Sequence, residues 1–150
     1  MELILDQIYE PETIPVNNLG YIGIVTMKDN KWVIVRLEGT DTWEFPGGAI
    51  DEGETPLEAA ERELFEEAGT IKSDIDIIGQ YSIKSGGKIT FGNLYFANIQ
   101  EIGPLPDFEI EEVRFVKNFP IQNTRHPKVI PELFEFAKNK IHKKGLHTLP

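Results

Sequence analysis

The chain of 150 residues carries 25 acidic and 15 basic side chains, a formal net charge of −10, and no cysteine. This composition excludes disulfide bonds and thiol chemistry, and its acidic balance disfavours a protein that holds long nucleic acid on a basic face. Because the N-terminus is acidic and no apolar run is long enough for a signal peptide or a membrane helix, we expect a single cytoplasmic domain over residues 1–150.

Strand-forming sequence fills the first third of the chain. We expect the N-terminal dozen residues to form an edge strand or an ordered arm. Two β-rich runs at 21–27 and 31–37 flank a short polar turn, which predicts a hairpin. Residues 43–45, with the sequence Trp-Glu-Phe, predict a short strand that leads to the paired glycines Gly47 and Gly48.

A helix is predicted over Pro56–Ala68 from its end signals. Thr55 is placed to cap the N-terminus, with proline at the first helical position and Glu58 three residues past the cap. Gly69 can end the helix in a left-handed conformation that other residues resist. One face repeats small and aliphatic residues at helical spacing and is expected to pack on the core. Its members are Leu57, Ala60, Leu64 and Ala68.

Glutamates lie beside this apolar face. Glu63 and Glu67 are one helical turn apart on one edge of the face, and Glu66 lies further round. Arg62 can pair with Glu66 at four-residue spacing, whereas Glu63 and Glu67 have no basic neighbour between them on the helix. A hard divalent cation with oxygen ligands, such as Mg2+, would neutralise them. The structural alternative is a solvated acidic helix face.

Beyond the helix, the chain alternates strands and loops before a final helix. Residues 75–83 and 89–99 predict two strands joined by a glycine turn, and residues 113–116 predict a third. A final helix is expected from Pro131 to Lys143, and the tail over residues 143–150 is expected to be loose. Strands that flank one helix and precede another indicate an α/β layered domain with a mixed sheet.

The residues around the first helix form a long motif with fixed spacings. The segment from Gly48 to Thr70 closely resembles the box of the Nudix hydrolases, G-x5-E-x7-R-E-U-x-E-E-x-G-U, in which U is aliphatic. The one departure is Thr70 at an aliphatic position, which we expect to affect packing more than chemistry. The matching positions are Gly48, Glu54, Arg62, Glu63, Leu64, Glu66, Glu67 and Gly69. The resemblance implies a Nudix-type α/β/α sandwich that hydrolyses a nucleoside diphosphate linked to another group, with Mg2+ or Mn2+.

Roles are expected for the residues of the box. Glu63 and Glu67 are the expected metal-ligand pair by their spacing, and Glu66 is expected either to ligate a second ion or to activate water. Arg62 is expected to hold the glutamates in place through ion pairs. Gly48 permits close approach of the backbone, so that a carbonyl group there can reach the metal; a tight turn is the structural alternative.

Residues outside the box are candidates for contacts with the substrate. The resemblance places Arg36 against phosphate, and Gly47 allows the backbone to come close. Trp43 is a candidate for stacking on a base, and Asn123 for contacting a purine edge; a core aromatic and a loop asparagine are the alternatives. The family often recruits one further carboxylate from a later loop, for which we choose Glu112. The glutamates available there are Glu109, Glu111 and Glu112.

The substrate is predicted partly by elimination within the family. Gly86, Gly87 and Lys88 occupy positions where diadenosine polyphosphate hydrolases tend to carry a tyrosine, and Ser85 stands where ADP-ribose hydrolases tend to carry a proline. The WEFPGG approach and the GQYSIK segment look most like the MutT-type branch that hydrolyses nucleoside triphosphates. That similarity implies cleavage of a substrate such as 8-oxo-dGTP to the monophosphate and pyrophosphate.

Two alternatives remain open. An enzyme that removes pyrophosphate from RNA 5′ ends would need a basic groove, which the charge of −10 disfavours. A catalytically inactive nucleotide-binding module would usually lack one of the carboxylates of Glu63, Glu66 and Glu67, and all three are present. We expect a small nucleotide as substrate, no contact with long nucleic acid or membrane, and a monomer or homodimer.

Overall fold

The computed structural model describes residues 2–147, which form one seven-stranded sheet and two α-helices. In chain order the elements are β1 Ile4–Tyr9, β2 Leu19–Lys28, β3 Lys31–Leu37, β4 Gly47–Ala49, α1 Pro56–Ala68, β5 Thr70–Ser85, β6 Lys88–Ile102, β7 Ile110–Val116 and α2 Ile130–Lys144. Short 3₁₀ turns occupy Val16–Asn18 and Ile121–Asn123. The expectation for the tail falls partly on residues 148–150, which lie outside the described residues.

The sheet is mixed and is covered by one helix on each face. Its strand order is β1-β5-β6-β2-β3-β7, with β4 paired to β2; β2 and β6 are parallel and the other pairs antiparallel. Because alternate residues of a strand face opposite sides, Ile22 and Ile24 of β2 pack with α1, whereas Val25 and Met27 pack with α2. This arrangement confirms the expected α/β/α sandwich.

Helix α1 has the predicted bounds and the predicted caps. Thr55 Oγ1 accepts a hydrogen bond from the Glu58 backbone N–H at 3.1 Å, and Glu58 Oε1 accepts one from the Thr55 backbone N–H at 2.9 Å. Gly69 ends the helix with φ of 66°. The prediction for Leu57 is wrong, because its side chain is 46% exposed and the buried face begins only at Ala59, after an exposed first turn.

The hairpin and the final helix follow the sequence closely. Asp29 and Asn30 both have positive φ, as a two-residue hairpin turn between twisted strands requires. The N-terminal segment forms β1 at one edge of the sheet. Helix α2 extends one residue beyond its predicted span at each end. No helix within residues 2–147 is both long and apolar enough to cross a membrane.

Segment 43–49 lies between β2 and β3, and residues 44–49 line the cavity described below. The two strands pair only at their turn, through Met27 with Trp32 and Lys28 with Lys31. Further from the turn, Glu44 bridges to β3, and β4 pairs with β2. The predicted strand at 43–45 is therefore wrong in position, since these residues form isolated bridges and the paired strand begins at the glycines.

Candidate active site

A cavity of about 400 Å³ lies where segment 43–49 enters the sheet. Part of its wall is apolar and includes Tyr21, Phe45, Tyr81 and Leu133. The remainder is charged or polar, and its members are Glu44, Glu63, Glu67, Glu109, Arg125 and His126. A cavity of this volume, with a few polar groups on apolar walls, is typical of a small-molecule site.

Glu67 is the most perturbed carboxylate of the cavity. Its Oε1 accepts a hydrogen bond from the Gly47 backbone N–H at 2.9 Å. Burial raises the pKa of Glu67 to about 9, and the negative charges of Glu63, Glu44 and Glu66 add to this rise, while the Gly47 bond opposes it. No lysine or arginine within residues 2–147 forms an ion pair with Glu67. The ionised form of Glu67 therefore has no counter-ion, and the raised pKa keeps the carboxyl group protonated at neutral pH.

Glu63 and Glu66 share one cation, the guanidinium of Arg62. Its Nη1 lies 2.9 Å from Glu63 Oε1 and 3.1 Å from Glu66 Oε1, so Glu63 has the basic helical neighbour that its spacing did not indicate. The same guanidinium pairs with Glu54 at 2.7 Å and donates to the Ala49 carbonyl at 2.9 Å. Burial raises the pKa of Glu63, and its contact with Arg62 opposes the rise. Arg62 thus connects α1 with β4 and with the acidic loop at residues 50–55 that joins them.

Both glycines of β4 are required by close packing. A Cβ atom on Gly48 would overlap the carboxylate of Glu63, and one on Gly47 would lie 2.6 Å from the Ile22 carbonyl oxygen. Because this space is filled by a carboxylate and by backbone, no larger side chain fits without displacing the site. Whether the Gly48 carbonyl binds a metal stays a prediction.

A second cavity of about 240 Å³ lies on the other side of the same carboxylates. Its wall is formed by Arg62, Glu63, Glu66 and Glu67 of α1 and by residues 108–110, where the loop before β7 leads into that strand. Glu109 lines both cavities, whereas Glu112 lines neither. The geometry therefore favours Glu109 over Glu112 as the further carboxylate of the site.

The carboxylate set fits a hard divalent cation. Its glutamates supply the oxygen atoms that such an ion prefers, and a cation would take the place of the proton that burial keeps on Glu67. No three acidic or histidine side chains of the described residues are already gathered into a metal-binding cluster. Because Arg62 is the partner of Glu63 and Glu66 in this arrangement, ion binding requires these side chains to turn toward Glu67.

Three residues predicted to contact the substrate have partners outside the cavity. Arg36 donates to the Thr40 carbonyl at 2.8 Å and pairs with Glu111 and Glu112 on β7. Trp43 is 8% exposed and carries the guanidinium of Arg114 over its ring at 4.8 Å.

The third, Asn123, is exposed and donates through Nδ2 to the Asp41 carbonyl at 3.1 Å. None of the three lines either cavity, whereas Gly47 lines the larger one. Within the chain they are an ion-paired arginine, a buried aromatic and a loop asparagine, and their contacts with the substrate stay predictions.

Glu44, Arg125 and His126 line the larger cavity but were missed by sequence reasoning. Burial raises the pKa of Glu44, and Arg125 lies 3.4 Å from its carboxylate. His126 has the uncommon backbone φ of 54°, and burial lowers its pKa. The available signal in the sequence was Glu44, a charged residue between two aromatic residues and three positions before the paired glycines. Its partner more than 80 residues away could not be identified from the sequence.

The comparisons with known proteins agree with this geometry. Residues 18–136 match the model of the family described as NUDIX domain. An RNA pyrophosphohydrolase of Helicobacter pylori is 52% identical over 50 residues, 33% of this chain and 31% of that protein. A Bacillus subtilis protein named "Putative 8-oxo-dGTP diphosphatase YtkD" is 31% identical over 88 residues, 59% of this chain and 55% of that protein.

The fold is likewise that of a solved relative. The crystal structure of the Bacillus subtilis pyrophosphohydrolase BsRppH aligns with a TM-score of 0.81 at 22% identity, covering 95% of this chain and 91% of that one. The sequence matches span between about a third and about half of the curated relatives' length. Since the family match covers most of the chain, this protein belongs to the Nudix hydrolase family, whose members generally use divalent metal ions.

Proposed function

We propose that this protein is a Mg2+-dependent pyrophosphohydrolase that cleaves a nucleoside triphosphate, such as 8-oxo-dGTP, to the monophosphate and pyrophosphate. The observation that supports this most directly is the buried carboxylate of Glu67, which has no counter-ion and lies against a cavity of about 400 Å³. A cation held there by Glu67 would neutralise the negative charge of a polyphosphate in the cavity. Mn2+ is the expected substitute for Mg2+.

The metal ion would be held by Glu63 and Glu67, with Glu109 and the Gly48 carbonyl as further oxygen donors. When bound, it neutralises the phosphate charge and supports in-line attack by water. Arg62 keeps Glu63 and Glu66 oriented from the side of the acidic loop, which it ties down through Glu54. Gly47 fixes Glu67 through its backbone N–H. The chain's own contribution would therefore be a set of carboxylate oxygen atoms beside a partly apolar cavity.

Glu66 has two proposed roles that an experiment can separate. It either removes a proton from the attacking water or ligates a second ion. Replacing Glu66 with Gln lowers kcat at saturating metal if the residue is the base. If it is a ligand, raising the metal concentration restores a large part of the lost activity.

A nucleoside triphosphate is favoured over RNA by the shape and charge of the site. The apolar wall, which includes Tyr21, Phe45 and Tyr81, suits a single base, and the net charge of −10 offers little attraction to a long polyanion. The similarity to YtkD supports the same choice. RNA with a 5′ triphosphate is the second candidate, because of the 52% identity to the Helicobacter pylori enzyme over 50 residues.

A substrate panel tests the proposal. Purified protein with Mg2+ is incubated with ordinary and oxidised deoxynucleoside triphosphates, ADP-ribose, dinucleoside polyphosphates and triphosphorylated RNA, and released pyrophosphate and phosphate are measured. We expect the highest kcat/KM on a nucleoside triphosphate, with pyrophosphate as product. Preference for RNA would favour the second candidate, and no hydrolysis of any compound would support an inactive nucleotide-binding module.

Three further expectations remain proposals. We propose that residues 1–150 act as a single Nudix domain and that the enzyme works in the cytoplasm, where nucleoside triphosphates are present. We propose a monomer or homodimer that binds no long nucleic acid.

A further inference from the structure

The four arginines of the chain differ in how fully their donors are used. Arg62 contacts three glutamates and a carbonyl group. Arg36 contacts a carbonyl group and two glutamates, and Arg114 pairs with Glu112 while covering the ring of a tryptophan. Arg125 has one side-chain contact among the described residues, at 3.4 Å to Glu44. Most of its five N–H donors are therefore available to a ligand.

The backbone around Arg125 directs it into the cavity. The Arg125 N–H donates to the Trp43 carbonyl at 2.9 Å, and Thr124 bridges Trp43 in a parallel arrangement. Because neighbouring residues in extended chains face opposite sides, Thr124 is buried with Trp43, and Arg125 lies on the side of Glu44. The Arg125 side chain is 39% exposed and lines the cavity of about 400 Å³.

Arg125 is also close to the carboxylates expected to gather metal. Its partner Glu44 is three residues before Gly47, whose N–H binds Glu67. Three residues of extended chain span at most about 11 Å, so the Glu44 backbone lies within that distance of the Gly47 backbone that binds Glu67. Among the described residues, Arg125 is the one lysine or arginine that lines this cavity, against four glutamates.

We propose that Arg125, held in place by Glu44, binds the substrate by donating hydrogen bonds to the non-bridging oxygen atoms of its polyphosphate. This inference rests on the proposed function. A guanidinium presents paired donors that match two phosphate oxygens, and it keeps its charge at every physiological pH. When the polyphosphate enters, Arg125 keeps its contact with Glu44 and donates to phosphate oxygen atoms through its remaining N–H groups. Arg125 thereby takes the role that the sequence suggested for Arg36.

Binding of inorganic pyrophosphate tests this inference without turnover. Its affinity is measured by calorimetry in the presence of Mg2+ for wild type, Arg125→Gln and Arg125→Lys, alongside KM and kcat for the preferred nucleotide. We expect Arg125→Gln to weaken pyrophosphate binding and raise KM by about 10- to 100-fold, with a smaller change in kcat. Arg125→Lys should recover part of the affinity, because it retains the charge without the paired donors.

The matched control is Lys128→Gln, which removes one positive charge from the same loop. Lys128 is 58% exposed, pairs with Glu2 and does not line the cavity, so pyrophosphate affinity should stay within about twofold of wild type. Arg125→Gln leaves Glu44 without its partner, so the double variant Glu44→Gln/Arg125→Gln is measured as well. The same loss of pyrophosphate affinity in the double variant would attribute the effect to the missing guanidinium.

The outcomes separate this inference from the proposed function. If wild type hydrolyses the nucleotide and Arg125→Gln binds pyrophosphate as tightly as wild type, the inference is overturned and the proposed function stands. If Arg125→Gln altered the preference between guanine and adenine nucleotides but not pyrophosphate affinity, Arg125 would contact the base, and the inference would also fail. Arg125-dependent pyrophosphate binding in a protein that hydrolyses no nucleotide would support the inference and reject the proposed function.

Discussion

Two clusters of arginine and glutamate in this protein differ in charge balance. On β3 and the edge strand β7, Arg36 and Arg114 neutralise Glu111 and Glu112, and both arginines lower the pKa of Glu112. On α1, the one cation Arg62 faces three glutamates, and the pKa of the neighbouring Glu67 is raised to about 9. The excess of negative charge beside a cavity distinguishes a site from an ordinary ion-paired surface.

The largest expected effect comes from removing the carboxylate of Glu67. Glu67→Gln should lower kcat/KM by about 100- to 1,000-fold, because the metal loses a charged ligand that faces the substrate. The metal-free variant should also unfold at a higher temperature than wild type at pH 8, since wild type must take up a proton on Glu67 to fold, whereas glutamine needs none. Steady-state kinetics and thermal unfolding check both expectations. Activity within threefold of wild type would contradict the metal-binding role of Glu67.

Gly48→Ala tests how tightly the carboxylates are packed. The new Cβ atom would overlap the carboxylate of Glu63, so we expect activity to fall about tenfold or more and the free energy of unfolding to fall by about 1–3 kcal/mol. Gly20→Ala is the matched control, because nothing lies within 4 Å of its Cβ position. Equal kinetics for the two variants would show that Glu63 can move without loss of function.

The stability of the metal-free protein should depend on pH in a direction opposite to that of a salt-bridged carboxylate. The pKa of Glu67 rises from 4.5 to about 9 on folding, so the folded state retains a proton that the unfolded state has released. Stability is therefore full below about pH 4.5 and falls as the pH rises toward 9, by up to about 6 kcal/mol at about 1.4 kcal/mol per pKa unit.

This pH dependence distinguishes Glu67 from the balanced cluster. Thermal unfolding from pH 5 to 9 should show a falling Tm in wild type and a flatter profile in Glu67→Gln. Added Mg2+ should restore Tm most strongly at high pH, because the metal replaces the proton. A profile that is the same in both proteins would show that other groups control the stability.

The smallest effect is expected on the balanced cluster. Arg114→Gln removes a 57% exposed cation from Glu112 and from the face of Trp43. Because exposed ion pairs contribute little, kcat/KM should stay within about twofold and Tm within about 4 °C of wild type. A tenfold loss of activity would mean that this cluster takes part in the reaction. It would contradict the view that only the glutamates of α1 form the site.

Local signals made helix α1 predictable in detail. The bonds of its capping box join residues three apart, and the left-handed turn at Gly69 depends on that residue alone. Glu63 and Glu67 therefore line one cavity, while their roles stay predictions, and the fold class followed from the order of strands and helices. The exposure of Leu57 was not predictable by periodicity, because it depends on where the first turn meets the sheet.

Long-range pairing decided what the sequence could not show. Arg36 and Trp43 have partners on β7 that the sequence did not indicate, and their contact with substrate stays a prediction. Glu44 and Arg125 meet only because the loop before α2 runs beside Trp43, and no local pattern encodes that contact. Glu109 and Glu112 differ by three positions, yet only the former faces the carboxylates, because pairing with β3 directs Glu112 to Arg36.

A calorimetric titration with Mn2+ at pH 7.5 tests the central claim most directly, namely that the uncompensated carboxylates of α1 bind a divalent ion. Wild type should bind Mn2+ with proton release, since burial holds a proton on Glu67 that the metal must displace. Glu67→Gln should bind at least tenfold more weakly and with less proton release. Equal affinity and equal proton release in the two proteins would contradict the account, because the ion would then bind elsewhere.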